Sequence, residues 1–168
     1  MRILIMTPEL SKIYKTIIML HRELFDESPS PMKLQKLCYY AQGYFLAKSN
    51  GQETLFTEEF QAWLHGPVIY ELYQEYKSYG WRQIPTEFTS DELVNQDTPE
   101  YEHLNEVVEA YGRFDGAALS TMTHRETPWL DARGDIPEIQ DRGDHCSPSF
   151  ISKTSLQQFF SQKLRAYG

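Results

Sequence analysis

The densest group of side chains able to do chemistry is Thr123-His124-Arg125-Glu126-Thr127-Pro128-Trp129. A histidine beside a carboxylate could work as a general acid or base, given a nucleophile or a metal-bound water to act on. No serine sits in a GxSxG elbow, no HExxH occurs, and no glycine-rich loop follows a strand. A small hydrolase centred on His124 is therefore one reading. The preferred one is a helix end, where His124 and Arg125 bond the last carbonyls and favour the negative pole of the helix dipole. His145-Cys146 could join His103 or His124 at a metal, but zinc needs three or four converging ligands and an adjacent pair chelates poorly. Cys38 lies among apolar neighbours and reads as an inert small hydrophobe. No catalytic residue, metal or cofactor is expected.

Recognition chemistry has better candidates. Tyr70, Tyr73, Tyr76 and Tyr79 recur every three residues, with Trp81 just beyond. A period of three on a helix of 3.6 residues per turn drifts round the surface, so the four rings cannot all face one core. Exposed Tyr and Trp suit protein interfaces because they are large, stiff and amphipathic. A broad core contact with the hydroxyls at its rim is the equal alternative. Between Gln83 and Gly112 stand eight acids, including Glu102 and Glu106, and no Lys or Arg. Such a run is either a solvated face or a surface that steers a basic partner.

The elements that must hold these residues read as helices. Ile13, Ile17, Leu20 and Leu24 place a first helix over Ser11–Phe25. Ser30-Pro31 is an N-cap followed by Pro at the first helical position, and the second helix should run from Pro31 to Ser49. It is apolar on most faces, which predicts a central buried helix. Residues 55–64 allow a short strand or hairpin. Val68–Tyr79 should form a third helix opened by Pro67, and a fourth should follow Asp97-Thr98-Pro99 up to Gly112. Ala117–Arg125 and Pro128–Arg133 read as short helices, Asp135–Ser149 as an irregular loop, and Ser152–Leu164 as a terminal helix. The expected fold is a mainly α, compact single domain over residues 1–168.

The 168 residues are 40% hydrophobic and 14% aromatic, enough for a real core. A net charge of −8 disfavours direct binding to nucleic acid or to an anionic membrane. No run approaches the ~20 apolar residues of a membrane span. Two cysteines make no disulfide framework, so a cytoplasmic location is expected.

Three segments, in order, resemble the Panacea (antitoxin SocA-like) family. Lys33-Leu34-Gln35-Lys36 through Tyr39-Tyr40-Ala41-Gln42 is similar to its Lys-Leu-Gln-Lys-Leu-x-Tyr-Tyr-Ala-Gln signature. Ala62-Trp63 followed by Gly66-Pro67-Val68 resembles its Ala-Trp-x-x-Gly-Pro-Val segment, and Thr123-His124 with Pro128-Trp129 its Thr-His-x-x-x-Pro-Trp stretch. Cys38 replaces a usual Leu, and His65 stands where an aromatic is common. The likeness spans residues 13–160. It implies a helical domain, not an enzyme, that neutralises a cognate protein toxin by direct contact. Such domains occur in bacterial chromosomes, prophages and phages. The alternatives are an adaptor delivering its partner to a cellular protease and a phage-encoded host-interaction protein; homo-oligomers stay open. About 30 residues before the signature helix leave little room for a DNA-binding module. The partner-binding surface is expected at Tyr70, Tyr73, Tyr76, Tyr79 and Trp81, flanked by Glu102 and Glu106.

Overall fold

A computed structural model describes residues 5–79, 85–134 and 149–167. Helix α1 spans Pro8–Phe25 and starts one turn before the expected Ser11, because the Thr7 hydroxyl caps it by accepting from the Leu10 amide at 3.2 Å. Thr7 is itself fixed by Glu58, whose carboxylate accepts from its amide at 2.7 Å. Helix α2 spans Pro31–Lys48 with Ser30 as N-cap and Pro31 in the first turn. Thirteen of its 18 residues are buried, so it is the central helix that its apolar faces predict.

After α2 the chain forms a hairpin. Strands β1 (Phe60–Trp63) and β2 (Gly66–Ile69) pair antiparallel with Trp63 opposite Gly66, leaving Leu64-His65 as a two-residue turn. This corrects the expected helix start at Val68: helix α3 begins only at Tyr70 and runs to Tyr79. Pro67 serves a strand, and β2 is an edge strand, where a residue without an N–H is tolerated. Gly66 has φ +115, outside the helical region, and a Cβ there would stand 2.7 Å from the Thr123 hydroxyl and 2.8 Å from Lys36 Cε.

The acidic stretch holds one 3-10 turn at Ser90–Glu92 before helix α4 (Pro99–Tyr111), whose cap is the Thr98 hydroxyl. Helix α5 (Gly116–Thr123) starts from Asp115, and helix α6 (Thr127–Arg133) follows after three residues. A short β3 (Phe150–Ile151) pairs with β1, giving strand order β2-β1-β3. This third strand was not expected. Helix α7 (Lys153–Tyr167) closes the fold against α2. Its Phe160 ring lies where a Cβ on Gly43 would be, at 2.2 Å, so the two helices approach as closely as glycine allows. Helices make up more than half of the described residues, as the sequence predicts.

Candidate partner-binding site

The hairpin is short, and most of its carbonyls face side chains from distant elements. Arg133 of α6 donates to the Ala62 carbonyl at 3.0 Å, and the Trp129 indole N–H donates to that of Trp63 at 2.7 Å. His124 Nε2 lies 2.6 Å from the Leu64 carbonyl, and the Ser120 hydroxyl donates to that of His65 at 2.6 Å. From α2, Lys36 Nζ donates to Pro67 O at 3.2 Å, and the Gln35 amide holds both the N–H and the carbonyl of Ile69. A buried carbonyl left without a donor costs about 1–3 kcal/mol, so each of these side chains has a structural task.

His124 is thereby accounted for. Its Nδ1 sits 2.5 Å from the Ser120 carbonyl, its Nε2 faces Leu64, and its ring packs on Trp129 at 4.2 Å. Both nitrogens face backbone carbonyls, one in the last turn of α5 and the other in the hairpin turn. His103 is bound likewise: Nε2 meets the Ala41 carbonyl at 2.8 Å and Nδ1 meets Lys48 Nζ at 2.9 Å. Among the described residues no group of three or more His, Cys, Asp or Glu could hold a metal ion; His145 and Cys146 lie outside them.

The sequence reading named Glu126 only as a neighbour of His124 and gave it no role of its own. Its carboxylate is buried, and its two oxygens accept from the Tyr39 and Tyr40 hydroxyls, each at 3.0 Å, with Lys163 Nζ at 4.0 Å. Burial pushes its carboxyl above the ordinary 4.5, against the two phenol hydrogen bonds that hold it down. Glu126 stands at the N-cap of α6 but makes no cap bond, so its side chain can turn inward. Gln42 works in the same manner, accepting from Leu55 N at 2.8 Å and donating to Phe56 O at 2.7 Å.

The three sequence segments thus form one hydrogen-bonded unit around the hairpin, and the family comparison covers the same unit. The family model for the antitoxin SocA-like, Panacea domain matches residues 34–130. The chain belongs to that family. The Panacea match opens at Leu34 in α2 and ends at Leu130 in α6, so it encloses Gln35, Lys36, the hairpin, His124 and Trp129. Helix α7, outside the match, adds Phe160 to the core of this Panacea domain. No curated protein and no solved structure matches the chain. Among the described residues no helix is long and apolar enough to cross a membrane.

The surface of this Panacea domain that combines aromatic and apolar groups lies where α3 meets the hairpin. The Tyr73 ring stands edge-on to Trp63 at 5.0 Å, and Tyr70 stacks towards Tyr73 at 6.3 Å; all three are half-buried. Beside them is a mostly apolar pocket of about 310 Å³ lined by Met32, Lys36, Trp63, Val68, Tyr73 and Tyr76 among others. Tyr76 is only 8% exposed and belongs to the core, so it meets the surface as a wall of this pocket and not as a free ring. The Tyr79 side chain and Trp81 lie outside the described residues. Helix α4 packs on α1 and α2, whereas α3 packs on β2 and α2. Glu102 is exposed on α4, and Glu106 is paired with Lys48 at 2.9 Å. A larger cavity of about 780 Å³ between α1, α4 and the 3-10 turn is open and lined largely by polar residues such as Glu9, Lys12, Asp97 and Glu100.

Proposed function

We propose that this Panacea domain works in the cytoplasm as an antitoxin that neutralises a partner protein toxin by direct binding, without turnover. Family membership supports the antitoxin role. The observation that carries the binding mode is the half-exposed Trp63–Tyr73 pair beside an apolar pocket. Large rings partly open to water next to a concavity are the usual anchors of protein interfaces. Tyr70 extends this centre, and the exposed acids of α4, Glu102 among them, give the surface a charge that draws a basic toxin. What supports a role without turnover is His124, whose two nitrogens both face backbone carbonyls.

The test is co-expression with the reading frame next to this gene, once that frame expressed alone is found to arrest growth. Wild type should restore growth and co-purify with the toxin. Tyr73→Ala and Trp63→Ala, if folded by their melting curves, should lose rescue. Growth restored with no complex, and with toxin levels that fall only while a cellular protease is present, would assign the delivery role instead.

A further inference from the structure

Lys36 is a buried cation that has no counter-charge among the described residues. It is 1% exposed, donates to the Pro67 carbonyl at 3.2 Å, and forms no ion pair with any described carboxylate. An ammonium has three N–H donors, and a buried cation without a counter-charge is costly. The same residue lines the pocket between α2, the hairpin and α3, where Lys77 is a second cation. No Asp or Glu is among the described residues that line it. Among the described lining residues, apolar walls thus meet the Lys36 side chain and no carboxylate.

We propose that this pocket takes the last residue of a partner chain, with an apolar side chain against Trp63, Val68 and Tyr73 and the free α-carboxylate on Lys36. The inference rests on the binding role proposed above and names what the partner presents. The choice of a chain end follows from geometry. An internal Asp or Glu carries its carboxylate at the tip, with no apolar group beyond it to fill the walls. A C-terminal Phe, Leu or Met carries the carboxylate one atom from the side chain, so a single residue supplies both. At about 310 Å³ the pocket is at the small end of the common range, about 300–1,000 Å³, which suits one residue. The bond would be strong because it forms out of water, between a cation that burial now holds down to about 7 and an anion that restores its charge. Gly66 leaves room for the Lys36 side chain itself: a Cβ there would press on Lys36 Cε at 2.8 Å.

The probe is the tripeptide acetyl-Ala-Ala-Phe as free acid and as C-terminal amide, titrated calorimetrically into the whole chain. The acid should bind at least about tenfold tighter than the amide, the worth of one charge-assisted hydrogen bond. With lysines labelled at the ε-carbon, the Lys36 signal, assigned by its loss in Lys36→Met, should move with the acid and stay with the amide. Lys36→Met should bind both forms alike. Should that variant fail to fold, the wild-type comparison of acid with amide decides alone. Equal binding of the two forms, binding of neither at millimolar concentration, or acid binding that leaves every lysine signal in place would overturn the proposal. So would 3-phenylpropionate binding as tightly as the tripeptide, since the occupant would then be a small acid and no chain end. Failure here with intact toxin rescue removes the chain-end docking and leaves the antitoxin role. Failure of rescue with the acid still bound does the reverse.

Discussion

Gln35 of α2 holds Ile69 of β2 with both ends of its side-chain amide, accepting from the backbone N–H at 2.8 Å and donating to the carbonyl at 3.1 Å. The amide occupies the open edge of β2 as a neighbouring strand would. It fixes the point at which the hairpin stops and α3 starts. Gln35→Leu leaves two buried backbone groups unsatisfied and should cost about 2–4 kcal/mol. Chemical denaturation would read this as a lower midpoint with an unchanged slope. A loss under 1 kcal/mol would mean that water or another donor replaces the amide.

Gly43 and Phe160 make a second pair with a calculable consequence. Gly43→Ala puts a methyl 2.2 Å from the ring and should destabilise by about 1–3 kcal/mol. The double variant with Phe160→Leu should be less destabilised than the sum of the two singles, because the ring that clashes is gone. Strict additivity would show that α7 shifts to accommodate the methyl.

His103 predicts a loss of stability on acidification. Burial holds its imidazole below the ordinary 6.5, and the neighbouring Lys48 ammonium lowers it further. The folded state binds fewer protons than the unfolded one, so stability is full above 6.5 and falls as pH drops from there towards the lowered value. His103→Gln should flatten that part of the curve in melts taken between pH 7 and 5. An unchanged slope would place the proton-linked loss on another group, His21 being the obvious one because burial lowers it too.

Glu126 predicts the opposite sign. Its carboxyl is raised by burial, so the folded state keeps a proton that the unfolded state has released. Stability contributed by this group is present below 4.5 and declines as pH rises from 4.5 to the raised value. Glu126→Gln removes the titration, keeps one tyrosine hydroxyl on its carbonyl oxygen and turns the other contact into an amide N–H donating to a tyrosine oxygen. Relative to wild type its stability should rise across that window, a difference read from paired denaturation curves.

On α4, Glu102→Lys with Glu106→Lys should mainly slow association with a basic toxin and weaken its salt dependence. Glu106 already neutralises Lys48, so Glu102 should carry more of the effect than its partner. Tyr73→Ala should cost at least about 2 kcal/mol of affinity if the ring is an anchor. Stopped-flow mixing at several salt concentrations, with calorimetry for Tyr73→Ala, separates the two.

The helices were legible because their signals are local. Ser30 before Pro31 announces the start of α2, and an apolar surface on most faces of that helix means burial wherever the chain folds. The third-helix boundary, the strand at Phe150–Ile151 and the roles of Gln35, Lys36 and Glu126 were decided by partners far along the chain. Ile69 meets an amide 34 residues away, and Tyr39 meets a carboxylate 87 residues away. Likewise the three-residue spacing of the tyrosines shows that their rings diverge, but only the packing of α3 on the hairpin and α2 puts Tyr76 inside and leaves Tyr70 and Tyr73 at the surface. Composition and periodicity determine which residues want burial or a cap. Which carbonyl a buried donor finds depends on the tertiary arrangement, since a hydrogen bond forms only at contact distance.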